Sequence, residues 1–428
     1  MINRRVFLAR TGGIATLSCL PAWSVASAAP PAAAGLRTAG FDAWVRCRME
    51  EAHIPGLSLA IIDAGRLVRS AAFGWADLER KRPMRTSTLI NIASVTKTIT
   101  CAAVMQLWEQ GKFALDEDVN RFLPFAVRNP NHPDSPLTFR QLLSHSSSIA
   151  DGPAYEDIYA CGDHPVALGA WLRDYLSSDG GLYDPQRNFH DWVPGSRASY
   201  SNIGFGLLGY LVEILSGIPY TEYCERRIFA PLGMVNSRFL LAGMPPEAHA
   251  TPYTYGETTE ARDTELRDPS WQAPRDGRKT YVPLCLYSFV TSSDGLVRTS
   301  ADELPRFLMA ILDGGAYEGA RILRPETVAL ILSDQKVRYA PSEGSHARDV
   351  QGLAWFGRHD AGPQRIWSHS GGDPGIGTHV SIRPADRRGA LAFTNIGEDN
   401  DLRKDIARLV LGEKLQGVSR CKPPAAAF

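Results

Sequence analysis

Ser94-Val95-Thr96-Lys97 stands where an apolar strand region gives way to a helix-forming run, and the rest of the chain is best read outward from it. On one helical turn a serine and a lysine three apart face the same way, so the amine reaches the hydroxyl and can take its proton. A lysine in a first turn also lies against the positive end of the helix dipole, an unfavourable place unless something else requires it. An exposed lysine, with a pKa of roughly 10.4, is a poor base near neutrality; desolvation and nearby positive potential lower that value. Ser94 and Lys97 therefore read as a nucleophile with its own base. The competing reading of Ser94 is a helix N-cap. The same spacing recurs at Ser333-Asp334-Gln335-Lys336 and Ser419-Arg420-Cys421-Lys422, so other residues must decide.

The 428 residues are 44% hydrophobic, ordinary for a globular chain, and 46 basic residues balance 46 acidic ones. No long basic run or aromatic-interleaved basic patch occurs, which argues against nucleic acid or an anionic membrane surface as partner and for a small-molecule substrate. At the N-terminus, Asn3-Arg4-Arg5-Val6-Phe7-Leu8 precedes a mildly apolar run from Thr11 to Val25 and then Ala26-Ser27-Ala28. This reads as a twin-arginine export signal over residues 1–28, an ordinary secretory signal being the alternative. The run is too short, and too interrupted by Gly12, Gly13 and Pro21, for a membrane span. Thr16-Leu17-Ser18-Cys19 is a poor lipobox, so anchoring at Cys19 is not expected. The mature chain is expected to be periplasmic or secreted. Its six remaining cysteines allow fifteen pairings, and none lie at the close spacing of a zinc or redox motif. Cys101, on the helix after Ser94, reads as a buried apolar filler.

Leu57 to Gly74 has the pattern of a β-hairpin turning at Asp63-Ala64-Gly65. Three more strands are expected at Arg365–Ser368, Thr378–Ile382 and Ala390–Thr394, with a helix from about Asp399 to Leu411. Between these ends the periodic segments are helical: Val95, Ile99, Ala102 and Met105 mark one face, and Ile203, Leu207, Leu211 and Ile214 another, the latter helix stopped by Gly217 and Pro219. This predicts a sheet assembled from both ends of the chain, backed by helices, with a helical region inserted and a cleft at the junction. Residues 150–195 and 241–283 read as long irregular loops, rims or lids of a site. Gly204-Phe205-Gly206-Leu207-Leu208-Gly209 matches the dinucleotide-binding glycine pattern but follows no strand, so nucleotide binding is not expected. Gly-x-Ser-x-Gly and His-Glu-x-x-His motifs are absent.

Two further segments complete a constellation. Tyr200-Ser201-Asn202 opens the second helix: a phenol near an ammonium can relay a proton, and an amide can hold the lysine and a substrate carbonyl. Trp367-Ser368-His369-Ser370-Gly371-Gly372 ends a strand in small residues along which a substrate can lie. Taken singly, Tyr200 reads as a core aromatic and His369 as a strand histidine. Their order, Ser-x-x-Lys, then Tyr-x-Asn, then His-Ser-Gly, resembles the serine β-lactamase and penicillin-binding protein superfamily, especially class C β-lactamases and family VIII carboxylesterases. The resemblance runs from about Phe41 to Leu411. It includes Leu142-Leu143-Ser144-His145-Ser146-Ser147, Tyr200 to Glu213, Pro231-Leu232-Gly233-Met234 and Gly371 to Gly377.

The resemblance implies an α/β (α+β) fold of the β-lactamase/transpeptidase type, an antiparallel sheet flanked by helices plus a helical subdomain. The sheet part would span about 35–90 and 285–415 and the helical part about 94–284, within a hydrolase domain of 35–415 followed by a tail at 416–428. It implies an acyl-enzyme mechanism in which Ser94 attacks, Lys97 and Tyr200 handle protons, Asn202 holds the network, and backbone N–H groups of Ser94 and Gly372 bind the oxyanion. His369, Ser370, Gly371 and Gly372 would meet the substrate, with no metal or organic cofactor. In many relatives the third motif is Lys-Thr-Gly, whose charge receives a substrate carboxylate; His369 departs from this and favours a neutral ester or amide. The expected activity is carboxylic ester hydrolysis, with D-amino-acid peptidase, D,D-carboxypeptidase or β-lactamase as alternatives and transacylation as a further outcome. The rival from another class is a non-catalytic homologue that binds a ligand in the same cleft.

Overall fold

The computed structural model describes residues 39–256, 265–272, 279–339, 349–358, 364–397, 401–415 and 419–423. The expected export signal at 1–28, with Cys19, lies outside the described residues. The main sheet has eight strands: β1 Gly56–Asp63, β2 Arg66–Asp77, β3 Arg82–Pro83, β4 Asp349–Gln351, β5 Phe356–Arg358, β6 Trp367–Asp373, β7 Ile376–Arg383 and β8 Arg388–Thr394. Their order across the sheet is β4-β5-β6-β7-β8-β1-β2-β3, every pair antiparallel. The two ends of the chain meet where β1 zips to β8, from Leu57 opposite Thr394 to Ile62 opposite Gly389.

β1 is buried along its whole length, which explains its nearly continuous apolar sequence. Leu57, Leu59 and Ile61 face helices α1 (Ala39–Glu51) and α5 (Leu402–Val410), packing with Phe41, Trp44, Leu402 and Ile406. Ala60 and Ile62 join the larger cluster on the opposite face. Each of these leucine and isoleucine side chains contributes about 1.5–3 kcal/mol on full burial, so the central strand is fixed from both sides.

On that second face lie α2 (Thr96–Glu109), α3 (Asn202–Ser216) and α4 (Leu304–Leu312). Every residue of α2 from Thr96 to Met105 is buried, the mark of a helix enclosed by its fold. The glycines of the false nucleotide motif have a packing role in α3. A Cβ on Gly209 would stand 2.2 Å from Ser293 Oγ, and one on Gly206 3.0 Å from Thr291 Cγ2, so their absence lets the short helix Ser292–Gly295 rest on α3.

Several expectations are corrected. Ser94 is no helix N-cap: it sits inside a 3₁₀ turn, Ala93–Val95, and the residue capping α2 is Val95, without a side-chain bond. The third expected strand is β6 and runs on to Asp373, because its small residues are held by β7 through Gly371–Thr378, Gly372–Gly377 and Asp373–Ile376. The stretch 150–195 contains a real helix, Leu168–Leu176, which buries Leu168, Trp171, Leu172, Tyr175 and Leu176 at helical spacing. The stretch 241–283 contributes strands Tyr253–Gly256 and Thr280–Pro283, paired to each other. Four cysteines form two disulfides, Cys47–Cys421 and Cys161–Cys285, and the first fastens the tail to α1. Cys101 and Cys224 are free and buried. Among the described residues no single helix is long and apolar enough to cross a membrane.

Candidate active site

Ser94 is presented by a constrained turn. Ala93, the residue before it, has φ +46°, a left-handed conformation that costs a residue bearing a Cβ on the order of 1 kcal/mol. The turn lies against β6. A Cβ on Gly371 would stand 2.6 Å from the Ile92 carbonyl oxygen and 3.0 Å from Ala93 Cβ, so the small residue of the third motif is what allows the strand to approach. Thr378 on β7 donates to the same Ile92 carbonyl at 2.8 Å.

Lys97 is fully buried. Its Nζ lies 2.6 Å from Asn202 Oδ1, 2.7 Å from the Asp294 carbonyl oxygen and 3.0 Å from Ser94 Oγ. The first two partners can only accept, so two N–H directions are committed to them and the third is left for Ser94 Oγ and the Tyr200 hydroxyl, which also bonds Nζ. In the ammonium form that direction donates to Oγ; in the amine form its lone pair accepts the Ser94 proton. The rings of Tyr200 and Phe205, with centroids 4.9 and 5.7 Å from Nζ, complete the enclosure.

Asn202 is itself held. Its Nδ2 donates to Asp151 Oδ2 at 2.9 Å, which turns Oδ1 toward Lys97. Asp151 also accepts the backbone N–H groups of Asn202 (2.9 Å) and Ile203 (3.0 Å) and the Ser201 hydroxyl (3.3 Å), closing the N-terminus of α3. Burial raises the Asp151 carboxyl above its ordinary range, opposed by these donors and by the Lys97 charge. Burial also pushes the Asp294 carboxyl up, to about 7, with Lys97 opposing. The Tyr155 hydroxyl bonds both Asp294 oxygens at 3.3 Å.

The Tyr200 hydroxyl hydrogen-bonds with Lys97 and Ser94. Burial raises its pKa, with the Lys97 charge and those two bonds opposing, so at neutral pH it stands as a phenol. Behind it, His145 has its ring stacked on Tyr200 at 4.4 Å, accepts the Ser201 N–H on Nδ1 at 3.1 Å, and accepts the Ser199 N–H on its carbonyl at 2.9 Å.

The structure thus brings together Ser94 from the 3₁₀ turn, Lys97 and Asn202 from the first turns of α2 and α3, and Tyr200 from the segment leading into α3. On β6, Ser370 and Gly372 are exposed, while His369 is only 2% exposed. The His369 ring meets Phe356 edge-on at 5.3 Å and stands tilted to Tyr200 at 6.4 Å, so it lines the back of the site. Ser370 Oγ bonds His379 Nδ1 at 2.9 Å on the neighbouring strand. Asp151 and Asp294 carry no sequence signal of their own, and His145 enters there only within the Leu142–Ser147 segment of the resemblance. The two other Ser-x-x-Lys matches build nothing comparable: Lys336 is exposed and paired with Asp334, and Ser419 bonds Glu51. Among the described residues no group of three or more His, Cys, Asp or Glu is placed to hold a metal ion.

A buried lysine against the serine of a Ser-x-x-Lys turn, with Tyr-x-Asn opposite and a sheet edge beside it, is the arrangement of a serine hydrolase of the β-lactamase and penicillin-binding protein type. The Beta-lactamase family model matches residues 41–413, and the chain belongs to that family. Penicillin-binding protein 4* of Bacillus subtilis (strain 168) is 26% identical over 356 residues, covering 81% of this chain and 69% of that protein. A putative D-alanyl-D-alanine carboxypeptidase of Escherichia coli (strain K12) is 27% identical over 311 residues, covering 69% and 68%. Among solved structures, a class C β-lactamase superposes with TM-score 0.66 at 17% identity, covering 89% of this chain and 96% of that one. The D-amino acid amidase of Ochrobactrum anthropi SV3, complexed with D-phenylalanine, gives 0.63 at 21%, covering 86% and 96%. These likenesses establish the β-lactamase/transpeptidase-like fold, an α+β arrangement.

Proposed function

We propose that this chain is an exported hydrolase that opens neutral carboxylic esters through an acyl-enzyme on Ser94. The observation that carries the reading is the Lys97 amine, fully buried, held by Asn202 and the Asp294 carbonyl and 3.0 Å from Ser94 Oγ. Lys97 takes the hydroxyl proton as Oγ attacks the ester carbonyl. The tetrahedral oxyanion is received by the backbone N–H groups of Ser94 and Gly372. As it collapses, the C–O bond to the alcohol breaks, and the Tyr200 phenol passes a proton to the departing oxygen and regains one from Lys97. Water then attacks the acyl-serine by the same route in reverse and releases the acid.

The preference for a neutral ester is supported by the third motif: His369 is turned behind Tyr200, and the exposed positions beside the nucleophile are Ser370 and Gly372. Ser370, Gly371 and Gly372 would line the substrate along β6, with His369 backing it. Export is supported by Arg4-Arg5 with its apolar follow-up and by the two disulfides, which belong to oxidising compartments. A second reading, cleavage of a D-configured amide, is favoured by the carboxypeptidase and amidase among the similar proteins.

The test is intact mass after a fluorophosphonate probe, beside Ser94→Ala, followed by turnover of p-nitrophenyl esters and D-amino-acid amides. One adduct, lost in the variant, with ester turnover supports the proposal. Adduct with amide turnover alone moves the substrate to the second reading, and a folded protein that takes no adduct is a ligand-binding homologue.

A further inference from the structure

The two proposed oxyanion donors sit on separate segments, Ser94 after the strand Ile90–Asn91 and Gly372 in β6. One side-chain bond ties those segments together beside the donors. Asn91 Nδ2 donates to Asp373 Oδ2 at 3.1 Å, and Asp373 is the residue after Gly372. The other end of the Asn91 amide faces the nucleophile turn: Oδ1 accepts the Ala93 N–H at 2.9 Å. Asp373 Oδ1 in turn accepts the Tyr159 hydroxyl at 2.8 Å, so the carboxylate is anchored from the helical side of the cleft as well.

We infer that Asn91 and Asp373 form a strut that sets the separation of the two oxyanion donors and holds Ala93 in its left-handed form. Both are positioning residues, and the inference rests on the reading of Ser94 as the nucleophile.

The chemistry of the amide makes the strut directional. With Nδ2 on a carboxylate, Oδ1 must face Ala93; the flipped amide would set NH₂ against an N–H and a carbonyl oxygen against a carboxylate. Asp373 therefore selects the Asn91 orientation that supports the turn. Asn91 is 3% exposed and Gly295 packs close by, a Cβ there lying 3.6 Å from both Asp373 Oδ2 and the Ala93 carbonyl carbon. Small errors at this point are transmitted to Ser94 because the turn has φ +46° and little slack. A displacement of about 1 Å at a reacting group costs on the order of a hundredfold in rate.

The pair can be exchanged. In Asn91→Asp the carboxylate still accepts from Ala93 but faces Asp373, and the strut becomes a repulsion. Adding Asp373→Asn restores these three bonds: Asp at 91 accepts from Ala93 and from the new amide, whose oxygen accepts from Tyr159. The experiment measures kcat and KM for p-nitrophenyl butyrate, and the rate constant of fluorophosphonate labelling, in parent, Asn91→Asp, Asp373→Ala, the exchanged pair and Ser94→Ala. Each single variant is expected to lose about tenfold or more in kcat and labelling rate with KM within about twofold, and the exchanged pair to return within about threefold of the parent. Adding Ala93→Gly to Asp373→Ala is expected to recover part of the loss, because glycine takes positive φ unaided.

The exchanged pair keeps the test decisive if a single variant fails to fold. An exchanged pair that does not fold, or folds with the low rate of Asn91→Asp, overturns the strut; so do single variants with parental rates or with a loss in KM alone. A parent that neither labels nor turns over the ester refutes the nucleophile reading instead, and that result is separately visible.

Discussion

The imidazole of His145 lies on the ring of Tyr200, centroids 4.4 Å apart and planes inclined by 27°, while its Nδ1 accepts the N–H of Ser201 at 3.1 Å. An accepting Nδ1 places the ring proton on Nε2. One side chain thus braces the tyrosine by face and by backbone. His145→Phe keeps a flat ring against Tyr200 and removes the acceptor, leaving a buried N–H whose loss costs about 1–3 kcal/mol. His145→Ala removes both. The expected order of kcat is parent, then Phe, then Ala, with KM nearly constant; steady-state ester kinetics with melting curves for each protein check it. Equal kcat in all three would remove His145 from the positioning of Tyr200.

Lys97→Arg is a sharper test of the base than truncation. The guanidinium keeps the charge but does not give up a proton near neutrality. It is expected to lower kcat by about 10²–10⁴, the range of a general base. The loss should not be recovered at pH 9. A folded variant with a near-parental rate across the pH range would show that Lys97 supplies charge only.

The sheet and its two-ended assembly were legible because β1, β7 and β8 carry recurring apolar residues over short runs bounded by turns, so period and length agree. The four residues of the Ser-x-x-Lys and Tyr-x-Asn segments were legible because their chemistry is local: each pair is closed by a turn or a helix start. What escaped was whatever depends on contacts across the chain. Asp151 and Asp294 look like any loop acid until they are seen capping α3 and supplying a carbonyl to Lys97. The glycines of α3 matched a nucleotide motif although their role is steric. The disulfide partners, 374 and 124 residues apart, carry no local signal. The helix at Leu168–Leu176 has apolar residues at helical spacing, but the Asp, Gly and Tyr around it give the stretch the composition of a loop.

Gly209 gives a test of how the lysine is held. A Cβ there would stand 2.2 Å from Ser293 Oγ and 2.4 Å from Ser293 Cβ, and Ser293 precedes the residue whose carbonyl accepts from Lys97. Gly209→Ala must push the segment Ser292–Gly295 off α3. It is expected to cost about 1–3 kcal/mol, as overpacking does, and to lower kcat. Gly206→Ala, with 3.0 Å to Thr291 Cγ2, is expected to cost less on both counts. Urea unfolding and ester turnover of the two variants give the comparison, and a milder Gly209→Ala would contradict it.

Asp294 makes stability depend on pH in a direction that can be read. Burial raises its folded-state pKa from 3.8 to about 7. The unfolded chain releases this proton near the ordinary value, while the folded chain keeps it until about neutrality. Between those limits the folded state holds the extra proton, so the stabilisation is fully present below the unfolded pKa and falls as pH rises toward 7. The steepest slope for one proton is about 1.4 kcal/mol per pH unit. Asp294→Asn removes the titration and retains a polar side chain for Tyr155. Urea unfolding of parent and variant at pH 5 and pH 8 is therefore expected to show the variant gaining on the parent by on the order of a few kcal/mol at the higher pH. Parallel behaviour of the two proteins would mean that the carboxyl ionises in the folded protein much as it does in the unfolded chain.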